Sequence, residues 1–205
     1  HEYLSSGQND APDFWRLMPY YVSQITGGSC SVASVAMIVN GFVRSGRQLN
    51  DTDTVITQSD LLDSVKQHPW KRRRGVSLGK LHIVLRESLE IHGVLNGPTR
   101  MVQTNKNTPE DFDEFRRILE LNERSAGDFL VIHYLQGVVT QAPGGSYPHI
   151  SPVGAYDAKN RKVLILDVDR KWYEPYWVSD KVLFQAMVGK TRAFGHGGYI
   201  HVGVS

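Results

Sequence analysis

Cysteine is almost missing from this sequence: Cys30 is the only one in 205 residues. A lone thiol cannot close an intramolecular disulfide or supply paired thiolates for a structural zinc, so a disulfide scaffold and a thiolate-rich metal store are excluded. Also missing is any apolar run near the ~18 residues that a membrane-crossing helix needs, and no membrane role is expected. One-signed charge is scarce too. The chain has 23 basic against 21 acidic residues, a formal net charge of +2, where a dedicated nucleic-acid binder carries a larger basic excess. There is no repeat, low-complexity tract or second-domain linker. Present instead are 40% hydrophobic and 10% aromatic residues, enough for a core without a covalent staple. The expectation is one domain, 1–205, with about 1–20 as an extended N-terminal segment. The first residue is His1 rather than methionine, which reads as a processed or trimmed chain and leaves the compartment open between cytoplasm and export after loss of a leader.

Apolar residues from Val32 to Phe42 cover most of a helical surface, so a buried helix is expected after Gly27-Gly28-Ser29, with Ser29 as N-cap and Asn40-Gly41 as its stop. Shorter amphipathic helices are predicted over Gln58–Lys66, Leu78–His92 and Pro109–Arg124. The last of these opens with a threonine cap, a proline and two acids. After Gly127 the pattern changes to strands at Phe129–Leu135, Ile150–Tyr156, Lys162–Val168 and Tyr199–Val204, with one helix at Ser179–Val188 between them. The fold class is therefore α+β: a helical N-terminal half packed as one layer on an antiparallel sheet from the C-terminal half. Lys71–Arg74 is the only charge run, either a solvated loop or a patch attracting an anionic partner.

Cys30 falls at the first turn of the buried helix, where unpaired N–H groups and the helix dipole favour negative charge. A thiolate there is placed to attack a carbonyl. Gln24, six residues upstream, can turn its amide back and share an oxyanion hole with the Cys30 N–H. Of eight histidines, His149 stands out, because it opens a strand amid glycines and prolines. Asp167 follows the apolar strand Lys162–Leu166, and a buried carboxylate needs a partner. Pairing of the two strands through Asp157–Arg161 brings Asp167 to His149, where it orients the imidazole and stabilises its cation. His68, His82, His92 and His133 read as background. His196 and His201 suggest a metal pair, but no third ligand is evident. Cys, His and Asp in that order, 119 positions between the first two, follow the papain-like order with aspartate for asparagine. Transglutaminase and arylamine N-acetyltransferase folds use the same trio.

Three blocks carry a narrower resemblance. Gln24, Cys30-Ser31-Val32-Ala33-Ser34 and Asn40 resemble the nucleophile segment Q-x5-C-x2-A-S…L-N of phytochelatin synthases. Pro148–Tyr156 resembles their histidine block, and Leu164–Val178 their L-I-L-D-V-x-R-x-K-Y-P-P-x-W-V block. The stretch Tyr134–Gln141 is similar to their approach to the histidine. The resemblance implies a papain-like fold and an attack by Cys30 on the Cys–Gly amide of glutathione. It implies a γ-Glu-Cys thioester on Cys30, passed to glutathione or to water, with His149, Asp167 and Gln24 in the roles above. Arg170 and Tyr173 match substrate-binding positions; a guanidinium suits the carboxylates of a glutamyl peptide, while a surface salt bridge and a core aromatic are their ordinary alternatives. No protein metal site or cofactor is implied: cadmium or zinc enters as a thiolate complex of the substrate. Glutathione and γ-Glu-Cys peptides are the implied partners, alongside a homodimer as an open option, with no nucleic acid or membrane.

The chain departs from the pattern at Pro148, at the inserted Gly145-Ser146-Tyr147, at Lys171-Trp172 and at Glu174. It resembles the short, single-domain prokaryotic type, a bacterial enzyme in which hydrolysis competes with chain extension. Two other expectations stand beside this one: a papain-like hydrolase or acyltransferase with another amide or thioester substrate, and a catalytically silent binding module on the same fold.

Overall fold

A computed structural model of the chain describes residues 2–5, 11–44, 50, 52–65, 75–94, 99–142 and 147–203. The Lys71–Arg74 run, His68, Lys66, Gly145, Ser146 and Val204 lie outside the described residues. The N-terminal segment, expected to be extended, is helical where described: α1 (Glu2–Ser5), α2 (Pro12–Leu17) and a 3-10 turn (Met18–Tyr20). These pieces are too short to show a period, and packing stabilises them. Pro12 starts α2, Leu17 is fully buried, and the Asp13 carboxylate accepts from Asn122 Nδ2 at 2.6 Å.

The buried helix, α3 (Cys30–Arg44), begins at Cys30 and runs past its expected stop. Gly41 is a packing glycine: an added Cβ would lie 2.9 Å from the Phe129 ring and 3.0 Å from Leu17. Asn40 is a clasp. Its Nδ2 donates to Ile56 O at 2.8 Å and its Oδ1 accepts from Ile56 N at 3.0 Å, which fixes the extended segment before α4 (Gln58–Ser64). A capping box from Thr57 and Asp60 starts α4, and Ser77 and Thr108 cap α5 (Leu78–Ile91) and α6 (Pro109–Glu123), each close to its predicted span.

The remaining elements are β1 (Thr99–Gln103), β2 (Phe129–Leu135), α7 (Gln136–Thr140), β3 (Pro148–Asp157), β4 (Lys162–Ile165), β5 (Tyr176–Ser179), α8 (Asp180–Val188), β6 (Lys190–Thr191), β7 (Gly195–His196) and β8 (Gly198–Val202). Six strands form one antiparallel sheet in the order β1-β8-β2-β3-β4-β5, and β6 pairs with β7 apart from it. The α+β class is confirmed.

The single helical layer is not: helices cover both faces of the sheet. Phe129 and Val131 of β2 join α2, α3, α4 and α5 in one apolar core, while Leu130, Ile132 and Tyr134 join α6 and α8 in a second. A strand buried on both faces loses its alternation, which is why β2 reads as the continuous run FLVIHYL. β3 carries a bulge between Val153 and Ala155, so these residues, two apart, enter opposite cores. The bulge falls at Gly154, where a Cβ would press on Leu166 at 3.0 Å.

Replacing Asn40 by alanine leaves both Ile56 backbone groups without their side-chain partner, and we expect a loss of about 2 kcal/mol. Chemical denaturation reads this as a lower midpoint at unchanged slope; an unchanged midpoint would show that the clasp contributes nothing.

Candidate active site

Each element brings one group to the same place. Helix α3 presents Cys30 at its first position, 5% exposed. Ser29 stands before it with its carbonyl accepting from Ala33 N at 3.0 Å, while its hydroxyl lies 2.5 Å from Thr26 Oγ1. β3 carries His149 at its second residue, directly opposite Tyr134 of β2, whose ring meets the imidazole edge-to-face at 5.7 Å. Asp167 lies two residues beyond β4. The strand stops short of its predicted end because Leu166 N turns to Pro152 O, at 3.0 Å, across the bulge. The pairing of β3 with β4 that the sequence suggested is present, and it delivers Asp167 to His149.

His149 Nε2 lies 2.8 Å from Asp167 Oδ1, which leaves Nδ1 as the ring nitrogen for the Cys30 side chain, also hydrogen-bonded to this imidazole. Asp167 has no exposed surface, and donors surround it. Oδ1 also accepts from Asp169 N at 2.9 Å. Oδ2 accepts from Gln136 Nε2 at 2.9 Å, Tyr176 OH at 3.0 Å and Tyr134 OH at 3.3 Å. Burial alone would push this carboxyl up, but the His149 bond and charge, the Asp169 N–H and the Gln136 amide outweigh it and hold it below the usual range. For His149 burial disfavours the cation, and the hydrogen bonds and charges of Asp167 and Cys30 reverse that, raising its pKa from 6.5 to about 10. The imidazolium therefore contributes stability that is complete below pH 6.5 and is lost as the pH rises through about 10. The Asp167 contribution is present above 3.8 and is lost as the pH falls through its lowered value.

Cys30 and His149 line a cavity of about 490 Å³, a volume within the range of small-molecule sites. Gln24, Gln136, Asp169, Trp172 and Tyr173 are also on its wall. Gln24 is tied in place by its backbone N–H, which donates to Val168 O at 2.8 Å, beside Asp167. Tyr173 faces Tyr176 edge-on at 6.2 Å. Arg170 is exposed and is not among the wall residues; its guanidinium stacks over Tyr21 at 4.8 Å, and Tyr21 OH donates to Asp167 O at 2.5 Å.

The sequence thus brings Cys30, His149, Asp167, Gln24 and Tyr173 into one site and leaves Arg170 at its margin. It gave no sign that Tyr134, Gln136 and Tyr176 enclose the aspartate. The available signal was polar side chains interrupting or ending apolar strand runs. His133 is buried on β2; burial first, then the nearby His149, lowers its pKa to about 4, so it stays neutral. His196 Nδ1 faces Val188 O at 2.7 Å and His201 Nε2 faces Asp128, so these two serve separate partners. Among the described residues no group of three or more histidine, cysteine or acidic side chains is placed to hold a metal ion.

A helix-borne thiol, a strand-borne imidazole and an enclosed carboxylate in one hydrogen-bonded line define the cysteine–histidine–aspartate class of sites. Within that class the chain belongs to the phytochelatin synthase family, whose model matches residues 2–197. It is 29% identical over 188 residues to glutathione gamma-glutamylcysteinyltransferase 1 of Arabidopsis thaliana, covering 88% of this chain and 36% of that one. Against glutathione gamma-glutamylcysteinyltransferase 3 of Lotus japonicus it is 26% identical over 196 residues, covering 92% and 37%. The enzyme of that name from Schizosaccharomyces pombe is 27% identical over 184 residues, covering 89% and 41%. The chain thus spans well under half the length of these curated relatives.

The thiol's bond and charge help hold the His149 proton, so Cys30→Ala should move the imidazole titration downward in NMR spectra. Identical titrations in the two proteins would mean that Cys30 and His149 do not form a coupled pair.

Proposed function

We propose that this chain is a glutathione γ-glutamylcysteinyltransferase and glutathione hydrolase working through a thioester on Cys30. The imidazolium–thiolate pair provides the nucleophile. Cys30 Sγ attacks the carbonyl of the Cys–Gly amide, and the oxyanion that forms is received by the Cys30 N–H at the helix N-terminus and the Gln24 amide. With Gln24 Oε1 buried, Nε2 is the end of that amide left for the oxyanion. His149 hands its proton to the departing glycine amine, and γ-Glu-Cys remains on sulfur. Neutral His149 then takes a proton from the incoming nucleophile, a second glutathione or water, as the thiolate leaves again. Asp167 keeps the ring oriented and favours its charged form throughout. Tyr173 on the cavity wall contacts the substrate, and Arg170, stacked over the Tyr21 ring at the margin, reaches a substrate carboxylate by swinging off that ring. Cadmium or zinc takes part as a thiolate complex of glutathione, as substrate and not as a resident of the protein.

The observation that carries this proposal is the hydrogen-bonded Cys30–His149–Asp167 line opening on a 490 Å³ cavity, in a chain of this family. The test is a product assay with glutathione, with and without cadmium, resolving glycine, γ-Glu-Cys and γ-Glu-Cys oligomers. Glycine release is expected in wild type and should vanish in Cys30→Ala. No glycine from the wild-type protein in either condition would remove glutathione as substrate. Gln24→Ala should lower the rate about 10²–10³-fold, the cost of one oxyanion donor; an unchanged rate would assign that donor to another group.

A further inference from the structure

The wall of the cavity carries one charge that the catalytic line leaves unused. Among the described residues lining it, Asp169 is the only formally charged side chain outside the Cys30–His149 pair, and no lysine or arginine is among them. The Asp169 backbone is fully engaged: its N–H donates to Asp167 Oδ1 at 2.9 Å, and its carbonyl accepts from Trp172 N at 2.9 Å and Tyr173 N at 3.0 Å. These bonds fix the residue against the triad through its backbone alone. Among the described residues no donor or cation pairs with the Asp169 carboxylate. The nearest guanidinium in sequence, Arg170, is turned onto the Tyr21 ring instead. A carboxylate on a concave wall with no counter-ion among the described residues favours a cationic group in the ligand.

We infer that Asp169 is a specificity-determining residue that recruits the ammonium group of the acyl acceptor and so directs the thioester toward aminolysis rather than hydrolysis. The inference rests on the acyl-enzyme proposed above. An amine acceptor reaches the cavity as R–NH₃⁺, and Asp169 holds it beside the thioester. One proton leaves to solvent, and the nitrogen lone pair attacks the thioester carbonyl. The C–N bond forms, the C–S bond breaks, and Cys30 departs as thiolate. The second proton passes to His149, which restores the ion pair, and the third stays on the new amide. Water carries no positive charge and gains nothing from Asp169, so the carboxylate acts on the partition between the two acceptors.

Because Cys30 is the only cysteine in the chain, its reaction with charged thiol reagents reports the potential in this cavity directly. The experiment compares the modification rates of Cys30 by a trimethylammonium-ethyl and a sulfonato-ethyl methanethiosulfonate, two reagents of similar size and opposite charge. In the wild-type protein the cationic reagent should be favoured. Asp169→Asn should reduce the cation-to-anion rate ratio on the order of tenfold, and Asp169→Glu should restore most of it. In parallel, the ratio of transfer product to free γ-Glu-Cys should fall several-fold in Asp169→Asn. An unchanged reagent ratio in Asp169→Asn overturns the inference, as does an altered reagent ratio with an unchanged product ratio. Failure of the glutathione reaction itself is a separate outcome: the wild-type protein would release no glycine, while the reagent ratio would still report whether Asp169 selects cations.

Discussion

An ionised carboxylate without solvent contact has to find every hydrogen bond within the fold, and Asp167 sets that requirement for this molecule. The cost of burying an unpaired charge is several kcal/mol, so the fold is stable only when the surrounding donors arrive together. They come from separate places: His149 from β3, Tyr134 from β2, Gln136 from the first position of α7, Tyr176 from β5, and a backbone N–H from the turn after β4. The carboxylate thereby ties strand register to site geometry. A shift of β3 by one residue would turn His149 to the opposite face and leave the charge unanswered. The Gly154 bulge belongs to the same constraint, because it lets Leu166 pair with Pro152 and carries Asp167 past the end of the ladder.

The elements with a strong period or a cap were legible in the sequence. Helices α5 and α6 carry serine or threonine caps and apolar stripes, and their bounds agree with expectation to within a residue or so. The site was legible for a related reason: Cys30, His149 and Asp167 sit at element ends, where glycine, proline or an abrupt polar residue marks the position. Elements held by tertiary contacts were not. β1 is an edge strand with polar Arg100 and Gln103 in its short span, and β5 is a four-residue strand inside an aromatic stretch. Asn40-Gly41 was misread because Gly and Asn commonly end helices, whereas here the missing side chain of one and the amide of the other are used for packing and for a clasp. The aromatic and amide enclosure of Asp167 could not be inferred, since its members lie 9 to 33 positions away and meet only across strands.

The two cores divide the labour. The core formed by α2, α3, α4 and α5 holds the helix that bears the nucleophile, and the core formed by α6 and α8 lies behind the tyrosines that enclose the aspartate. The sheet between them is common to both, so the thiol and the imidazole are fixed by different packing units that share one set of strands. That arrangement gives rigidity to the reacting groups without requiring the cavity wall, built from loops and exposed aromatics such as Trp172 and Tyr147, to be rigid as well.

The place of β8 has a consequence for how the molecule is made. This strand, formed by residues 198–202, sits inside the sheet between β1 and β2, which end about 95 and about 63 positions earlier in the chain. On the ribosome both neighbours emerge well before it, with an open slot of unpaired backbone between them. The sheet cannot close, and β1 has no partner, until that late strand has cleared the exit tunnel. The order of the strands therefore makes closure of the sheet a late, non-local step, with unpaired strand edges exposed until it happens.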